Sequence, residues 1–406
     1  MLMDMAKKIL EGRYACNHCL GRQFAQLLSG LTNEERGRAI RTALAMEYKL
    51  KPFSIDAANF HGYDFRTKKT APVQPKKCAV CGDVFLGLGK LGKEAVEKLG
   101  RIDYRTIMVS TRLPASLVSR EEELWEEVGI ECCEPLKSEL NREFGKLLLS
   151  MLEGKEFDEK TPNVIVVLDV EKGGTRIEIN PLFIFGKYKK LVRGIPQTKW
   201  EMYKETVEDI IARPVMKSTR GTEHAMHAMG REDIDARCLD WRPFVFEVSH
   251  PEKRDLDLKK ITEEINRTKK VEVSGLRFSD KRMAVRIKSL QPDKTYRALV
   301  RFDKPVDGLS ALRKIKIIKQ QTPTRVMHRR ADKTRTKIVK AIAWKRISPK
   351  KYEFIIKGQA GLYIKELITG DGGRTRPSVS EVLNTPAKVA ELDVIRIHVR
   401  NSELKE

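Results

Sequence analysis

Two pairs of closely spaced cysteines constrain the first part of the chain more than any other feature. Cys16 and Cys19 form one C-x-x-C sequence, and Cys78 and Cys81 form a second. Four thiolates from two such turns are the ligand set of a closed tetrahedral zinc site, so we expect one structural zinc ion here. The segment 20–77 between the pairs is longer than in a usual zinc ribbon, so a whole subdomain would lie inside the metal loop. A closed four-sulfur site has no open coordination position, and we assign it a folding role without catalysis.

The charge of the chain indicates a polyanionic partner. Lys and Arg number 79 against 56 Asp and Glu, which gives a formal net charge of +23 over 406 residues. An excess of this size attracts phosphate polyanions over long range, so we expect a nucleic acid as partner. No apolar run approaches the roughly 20 residues of a membrane-spanning helix. We therefore expect a cytoplasmic protein without a membrane partner, whose seven cysteines are kept reduced.

The patterning of the first part of the chain predicts an α/β unit. A capping box at Thr32 and Glu35 predicts the start of a helix. Further on, strand, helix, helix and strand follow one another over residues 101–170. A glycine pair then signals a turn, and we place the domain boundary near residue 172. The two domains would therefore span residues 1–172 and 173–406.

The second domain is rich in predicted strands. Apolar runs and alternating patterns predict strands at residues 271–273, 283–287, 296–302 and 352–356. In the third of these, Tyr296 lies on an apolar face and Arg297 on a basic face. A mixed sheet with helices against one side is the expected architecture, and the fold class of the whole chain is α+β.

Positive charge is concentrated in residues 313–351, where fifteen Lys or Arg stand against one acidic residue. The middle of this stretch, QQTPTRVMHRRADKTRTK, shows little apolar periodicity. We expect a projecting basic arm or a long hairpin that contacts a phosphate backbone. A basic face that is merely solvated is the alternative.

Two short segments of the second domain carry the candidate chemistry. One is Gly230-Arg-Glu-Asp, and the other begins Gly361-Leu-Tyr-Ile-Lys-Glu-Leu. By itself, a glycine followed by alternating charges is usually a solvated turn. A G-x-G-x-x-G sequence at residues 87–92 lacks the preceding strand and later acidic residue of a dinucleotide site, so we expect no cofactor there.

The order of four segments in the second half resembles the pseudouridine synthase 10 family, tRNA-modifying enzymes of archaea and eukaryotes. The four segments are GRED, KTYRALV, QQTPTRVMHRR and AGLYIKELITGDGGRTRPS. The resemblance implies a C-terminal pseudouridine synthase domain with a mixed or antiparallel sheet and flanking helices. It also implies an N-terminal zinc-binding accessory domain of the THUMP type. One segment departs from the family pattern, because RCLDWRPF at residues 237–244 replaces a glycine-containing run.

The same resemblance implies the site residues. It places the catalytic aspartate at Asp233, with Asp235 as the alternative. The substrate-binding residues that it implies are Tyr296, Arg231, Ile364, Lys365 and Leu392. The RNA-binding residues that it implies in the basic arm are Arg325, Arg329 and Arg330.

The implied reaction converts uridine to pseudouridine in the TΨC loop of tRNA, at position 54, position 55 or both. An ionised carboxylate beside C1′ would act as a nucleophile or drive glycal formation, so no catalytic cofactor is expected. The tRNA is the expected partner, and we expect the protein to act as a monomer.

Two other functions stay open. One is a non-catalytic, zinc-containing protein that binds structured RNA, which would have no need for the carboxylate of Asp233. The other is a different THUMP-type tRNA-modifying enzyme. A methyltransferase should show a glycine-rich loop after a strand, and a sulfur-transfer enzyme a pyrophosphate loop or a reactive cysteine pair. Neither pattern is present past residue 175.

Overall fold

The chain forms two compact units, each described here by itself. A computed structural model describes residues 2–65, 74–100 and 102–404, without the side chains of Arg329 and Asn401. The units are Met1–Asn180 and Pro181–Glu406. Within the described ranges, no helix has the length and apolar character needed to cross a bilayer.

The first unit combines helices with a small sheet. Its described α-helices and strands are α1 (Leu2–Glu11), α2 (Asn17–Gly21), α3 (Asn33–Leu50), α4 (Leu88–Leu99), β1 (Thr106–Arg112), α5 (Ala115–Val128), α6 (Leu136–Met151), β2 (Glu156–Phe157), β3 (Val164–Asp169) and β4 (Gly174–Ile179). Short 3-10 helices span Arg22–Leu27, Ala57–Phe60 and Val84–Gly87. The strand order is β2-β1-β3-β4, in which β1 is parallel to β2 and β3, and β4 is antiparallel to β3.

The end of the first unit differs from the boundary predicted near residue 172. That position lies in the turn between two paired strands, because Asp169 lies opposite Gly174 and Val164 opposite Ile179. The glycine turn therefore closes a hairpin within one sheet instead of separating two domains. Strand β4 belongs to the first unit, which continues to Asn180.

The second unit is built on one large sheet. Its α-helices and strands are β5 (Leu182–Lys190), α7 (Val207–Thr219), β6 (Glu223–Ala228), β7 (Ala236–Ser249), α8 (Leu258–Asn266), β8 (Val271–Ser279), α9 (Lys281–Ser289), β9 (Lys294–Phe302), β10 (Ile317–Gln320), β11 (Arg335–Ser348), β12 (Lys351–Gly358), α10 (Ile364–Thr369), β13 (Thr375–Arg376), α11 (Val379–Val382) and β14 (Ala387–Ile397). Short 3-10 helices span Leu309–Lys314, Thr324–Arg329, Asp371–Gly373 and Asn401–Leu404.

This sheet is mixed, as the sequence predicts. The strand order is β13-β10-β11-β12-β9-β14-β7-β5-β8, and β6 pairs with β7. Strands β14 and β7 are parallel, whereas the other described pairs are antiparallel. The α+β class is confirmed for the described chain.

One predicted strand, residues 283–287, is wrong. These residues lie in helix α9, which begins after Asp280, whose side chain accepts a hydrogen bond from the backbone N–H of Met283. Met283, Ala284 and Ile287 are buried, at the i, i+1 and i+4 spacing of one helix face. An N-terminal cap and this spacing explain why the segment folds as a helix.

The basic stretch 313–351 forms a long hairpin rather than a projecting arm. Strands β10 and β11 are antiparallel, with Gln320 opposite Arg335, and residues 321–334 connect them. Both strands belong to the large sheet. Val326 in the connection is buried, so part of the connection packs against the second unit.

Candidate active site

Most of the predicted site residues meet around one cavity of the second unit. The cavity has a volume of about 550 Å³. Its walls come from residues 229–235, from positions between 288 and 296, from positions between 325 and 337, from 360–364, and from Trp200. The turn before β7, the start of β9, the β10–β11 connection and the segment before α10 therefore converge here.

A buried ion pair anchors the turn that carries the GRED sequence. The side chains of Glu232 and Arg242 are fully buried, with Arg242 Nη2 3.1 Å from Glu232 Oε2. The Tyr188 hydroxyl donates to the same carboxylate at 3.1 Å. Gln197 Nε2 donates to the Tyr188 oxygen at 2.7 Å and to the Gly230 carbonyl at 2.9 Å. A buried charge pair with this many hydrogen bonds is costly to break, so it fixes the turn in one conformation. Glu232 is thus a structural anchor.

A buried lysine holds the backbone of the same turn. Lys190 Nζ donates to the carbonyls of Ile195, Asp233 and Ile234 at 2.9, 3.0 and 3.1 Å. Burial lowers the pKa of Lys190 below its ordinary value. Gly230 has φ +74°, a left-handed conformation that favours glycine. These contacts fix the backbone from which the Asp233 side chain reaches the cavity wall.

The Asp233 carboxylate lies between two cations. Arg325 Nη1 is 2.9 Å from Asp233 Oδ1, and Lys365 Nζ is 3.6 Å from Oδ2. Arg325 Nε also donates to Glu366 at 2.7 Å. Burial by itself would lower the pKa of Arg325, but the bond to Glu366 and the charge of Asp233 outweigh it and raise that pKa. The side chain of Asp233 is 28% exposed, so an incoming substrate can still reach it.

Asp235 has a different environment. Lys365 Nζ lies 2.7 Å from both of its carboxylate oxygens. Burial opposes ionisation of Asp235, but the Lys365 hydrogen bond and charge outweigh it and lower the pKa of this carboxyl group. Its side chain is 67% exposed, compared with 28% for Asp233. Lys365 therefore binds mainly Asp235 and contacts Asp233 at longer range.

Three other predicted residues also line the cavity. Tyr296 projects from β9, and burial raises its pKa to about 12, with the Asp233 charge adding to the effect. Its phenol is therefore protonated at neutral pH. Ile364 is buried at the start of α10, and Arg231 lies in the GRED turn.

Of the remaining predicted residues, Arg330 lies at the cavity and Leu392 does not. Leu392 does not line the cavity, because it is buried on β14 opposite Ala236 and Ala298. Arg330 lines the cavity and donates to the Tyr363 hydroxyl at 2.7 Å. The side chain of Arg329 lies outside the described part of the structure.

Sequence reasoning missed several contributors to the site. Arg325 was expected to bind an RNA backbone, yet its guanidinium contacts Asp233. Glu366, which holds Arg325, lies in the segment that begins at Gly361, but no local pattern indicates its contact with a residue 41 positions away. Lys294 also lines the cavity. The period-two pattern of KTYRALV places it on the same strand face as Tyr296, and that signal could have identified it.

The four cysteines of the two C-x-x-C sequences come together in the first unit. Their sulfur atoms all lie within 4.8 Å of one another, and Cys19, Cys78 and Cys81 are buried. The Sγ atoms of Cys16 and Cys81 are 3.6 Å apart, and the Cys16 N–H donates to Cys78 Sγ at 3.2 Å. Zinc–sulfur bonds of about 2.3 Å give a tetrahedron with edges of about 3.8 Å, so the donor set fits a tetrahedral metal ion.

Two family models match the chain. The model described as "Pus10, C-terminal" matches residues 183–398, and "Pus10 THUMP domain, archaeal" matches residues 91–169. Three curated relatives are each named "tRNA pseudouridine synthase Pus10". The relative from Methanothrix thermoacetophila is 40% identical over 98% of this chain and 94% of its own length. Those from Pyrococcus furiosus and Thermofilum pendens are 38% and 36% identical, over 98% and 97% of this chain and 98% and 95% of their own lengths. Among solved structures, the crystal structure of a Cbf5-Nop10-Gar1 complex contains a chain with 17% identity and a TM-score of 0.31, covering 52% of this chain and 48% of that one.

Proposed function

The chain belongs to the Pus10 family of tRNA pseudouridine synthases, and on this basis we propose that it isomerises uridine to pseudouridine in the TΨC loop of tRNA, with Asp233 as the catalytic carboxylate. The modified uridine is at position 54, position 55 or both. One observation carries the proposal: the Asp233 carboxylate lies at a cavity wall between Arg325 and Lys365. The cavity volume of about 550 Å³ is within the usual range for small-molecule sites and is sufficient for a flipped nucleoside.

The reaction exchanges one bond to the ribose for another. The bond between N1 of uracil and C1′ breaks, and the electron pair leaves with the base. The Asp233 carboxylate either attacks C1′ or drives formation of a glycal. The base turns and C5 bonds to C1′, while either the bond between C1′ and the carboxylate oxygen breaks or, on the glycal route, C2′ regains the proton that the carboxylate removed. C5 then loses a proton and N1 gains one. The exchange is redox-neutral, so side chains and water supply all that it needs.

Three further residues would position the base. Tyr296 can stack on the flipped uracil, and its protonated phenol can donate a hydrogen bond to it. Ile364 supplies an apolar wall, and Arg231 a cation beside the substrate phosphate. Leu392, on β14 opposite Ala236, stays a predicted substrate-binding residue.

The basic hairpin of residues 313–351 would bind the tRNA backbone outside the cavity. Most of its cations are exposed, and contacts of this kind recognise phosphate and shape. Arg330, at the cavity, and Arg329 would contact the TΨC arm. We propose that the enzyme acts as a monomer in the cytoplasm, where its tRNA substrate is found.

The four cysteines of the first unit would hold a structural zinc ion. The proposal rests on the fit of four sulfur donors to a tetrahedral ion. A zinc ion held by these four thiolates would cross-link two segments that are distant in sequence and would have a structural role.

The test is pseudouridine mapping by carbodiimide-primer extension on an unmodified tRNA transcript. Wild type should give new stops in the TΨC loop, Asp233→Asn should give none, and Asp235→Asn should retain a measurable rate. Stops from both wild type and Asp233→Asn would move the chemistry to Asp235. No stops from the wild type, together with tight RNA binding, would favour a non-catalytic RNA-binding protein.

A further inference from the structure

We propose that Lys294 is a further catalytic residue, whose ammonium group binds a carbonyl oxygen of the uracil base while that base is detached from the ribose. The inference rests on the proposed isomerase function and deepens it. Its ligand is an anion of a specific chemical class, the deprotonated pyrimidine imide, and not a phosphate.

The position of Lys294 brings its ammonium to the turn that carries Asp233. Lys294 is the first residue of β9 and shares a strand face with Tyr296, and both line the cavity. A Cβ atom at Gly230 would lie only 2.7 Å from Lys294 Nζ. The ammonium therefore packs against the start of the turn that carries Asp233, and Gly230 leaves the space that it occupies.

The bonding of this ammonium differs from that of three other buried or half-buried lysines near the site. Lys190, Lys337 and Lys365 all donate to acceptors at 2.7 to 3.1 Å. Lys294 is 8% exposed, and within the described residues its Nζ has no hydrogen bond or ion pair. Most of this side chain is removed from water, and its ammonium gains no protein acceptor in exchange, which costs free energy. An acceptor from a ligand in the cavity would satisfy it.

The charges around Lys294 leave it available for an anionic ligand. Burial and the Arg242 guanidinium lower its pKa to about 8, and the thiol of Cys238 and the carboxylate of Glu232 only partly oppose this. Glu232 is already paired with Arg242. The residues opposite Lys294 on the flanking strands are Ile397 and Gly358, which carry no charge. No described carboxylate neutralises Lys294, so an anion in the cavity would meet a cation that is not already paired.

The reaction produces such an anion. When the N1–C1′ bond breaks, the electron pair leaves with the uracil, and its charge spreads onto the two carbonyl oxygens. Arg325 and Lys365 are engaged by carboxylates at this stage, whereas Lys294 is free to donate. Lys294 keeps its proton throughout; C5 then bonds to C1′, the C5 proton is released to water and N1 is protonated. A preorganised donor aimed at developing charge contributes about 10²- to 10³-fold in rate.

The test separates catalysis from binding. Lys294→Met and Lys294→Gln are prepared in the full chain, and the single-turnover rate on unmodified tRNA and the Kd for that tRNA are measured separately. We expect the rate to fall about 10²- to 10³-fold, with the Kd within about threefold of wild type. Lys281→Met, an exposed position at the start of α9, is the matched control and should keep the wild-type rate. A rate within threefold of wild type in both Lys294 variants would overturn the inference.

A pH profile of the wild type needs no substitution, so it can still test the inference if a variant fails to fold. The protonated lysine is the active form, so activity is present below its pKa and is lost above it. We expect kcat/KM to fall about tenfold per pH unit above about pH 8, and the Lys294→Gln profile to be flat there. Parallel profiles would mean a structural role. A wild type that forms no pseudouridine would overturn the proposed function and this inference, whereas equally active variants would overturn this inference alone.

Discussion

At the residue scale, one arginine joins two acidic side chains of the site. Arg325 lies 2.9 Å from Asp233 and 2.7 Å from Glu366, and its side chain is only 35% exposed. This cation belongs to the basic stretch, yet its charge is already committed to carboxylates. We therefore expect Arg325 to contribute to the rate of isomerisation and not to the affinity for RNA.

Replacing Arg325 with glutamine should separate its effect on the rate from any effect on RNA affinity. We expect Arg325→Gln to lower the single-turnover rate about 10²-fold, because Asp233 loses its closest cation. The Kd for tRNA and its salt dependence should stay close to the wild-type values. Lys345→Gln, an exposed change on β11, should instead reduce the slope of log Kd against log salt by about 1. A reduced slope with an unchanged rate in Arg325→Gln would return Arg325 to RNA binding.

A second carboxylate of the second unit holds three arginines. Asp393 is 3% exposed and binds Arg193, Arg237 and Arg297 at 2.6 to 3.0 Å. Burial would raise the pKa of Asp393, but the bonds to Arg237 and Arg297 and the charge of Arg193 outweigh it and lower the pKa. This stabilisation is complete above the unfolded-state pKa of about 3.9 and is lost as the pH falls through the lower folded-state pKa.

We expect Asp393→Asn to lower the free energy of unfolding by about 2 kcal/mol at pH 7. The loss is smaller than for a fully buried pair, because the arginines are partly exposed to water. Urea denaturation of both proteins at pH 7 and at pH 3.5 would measure it. The difference between them should shrink at the lower pH, and a difference that grew as the pH fell would contradict this explanation.

The site residues that the sequence predicted lie in recognisable family segments, whereas those that it missed act through contacts between distant segments. Family resemblance brought Asp233, Tyr296 and Lys365 forward; Asp233 and Tyr296 line one cavity, and Lys365 contacts Asp233. Their roles stay predictions. The residues that hold the site, such as Glu232 and Lys190, act through buried contacts between segments far apart in sequence. A local sequence pattern cannot predict a buried contact between two segments that are far apart in the chain.

At the element scale, helix α9 shows how a cap can decide between two structures. The apolar run at residues 283–287 fits a strand by composition, but Asp280 satisfies the N–H of Met283 and starts a helix. By contrast, the capping box of Thr32 and Glu35 predicted the start of α3 correctly, because both of its hydrogen bonds are local.

Removing the cap of α9 gives a direct test. Asp280→Ala should lower the free energy of unfolding by about 1 kcal/mol, since the Met283 N–H loses its acceptor. Asp280→Ser retains a capping oxygen and should cost much less. Urea denaturation at neutral pH measures both. Equal losses in the two variants would mean that the charge of Asp280, and not its cap, stabilises the helix.

At the scale of the whole molecule, the cysteine site should govern stability and not chemistry. We expect about one zinc per chain in the purified protein by elemental analysis, and none in Cys19→Ser. The variant should unfold at a lower temperature, because residues on both sides of the segment 20–77 lose their cross-link. Cys238→Ser, which changes a buried thiol outside the cluster, is the control for zinc content. Full zinc content in Cys19→Ser would contradict a four-cysteine site.

The overall architecture was predictable in class but not in topology. Alternating patterns found some of the strands, including 296–302 and 352–356, because each pattern is local. They could not show that β4 closes the first sheet, since a glycine turn serves a hairpin and a linker equally well. Nor could they show that β14 lies between β9 and β7.

The position of β14 also sets the order in which the enzyme can mature on the ribosome. Residues 387–397 fill the gap between β7 and β9, so the first residues of β7, Ala236 to Cys238, which follow the Asp233 turn, have no partner on that edge until this strand is synthesised. Nascent chains ending before this strand would carry the complete GRED turn without its support. The second unit is therefore expected to fold late, after most of its length has emerged, and incomplete translation products would bind RNA through their basic hairpin without modifying it.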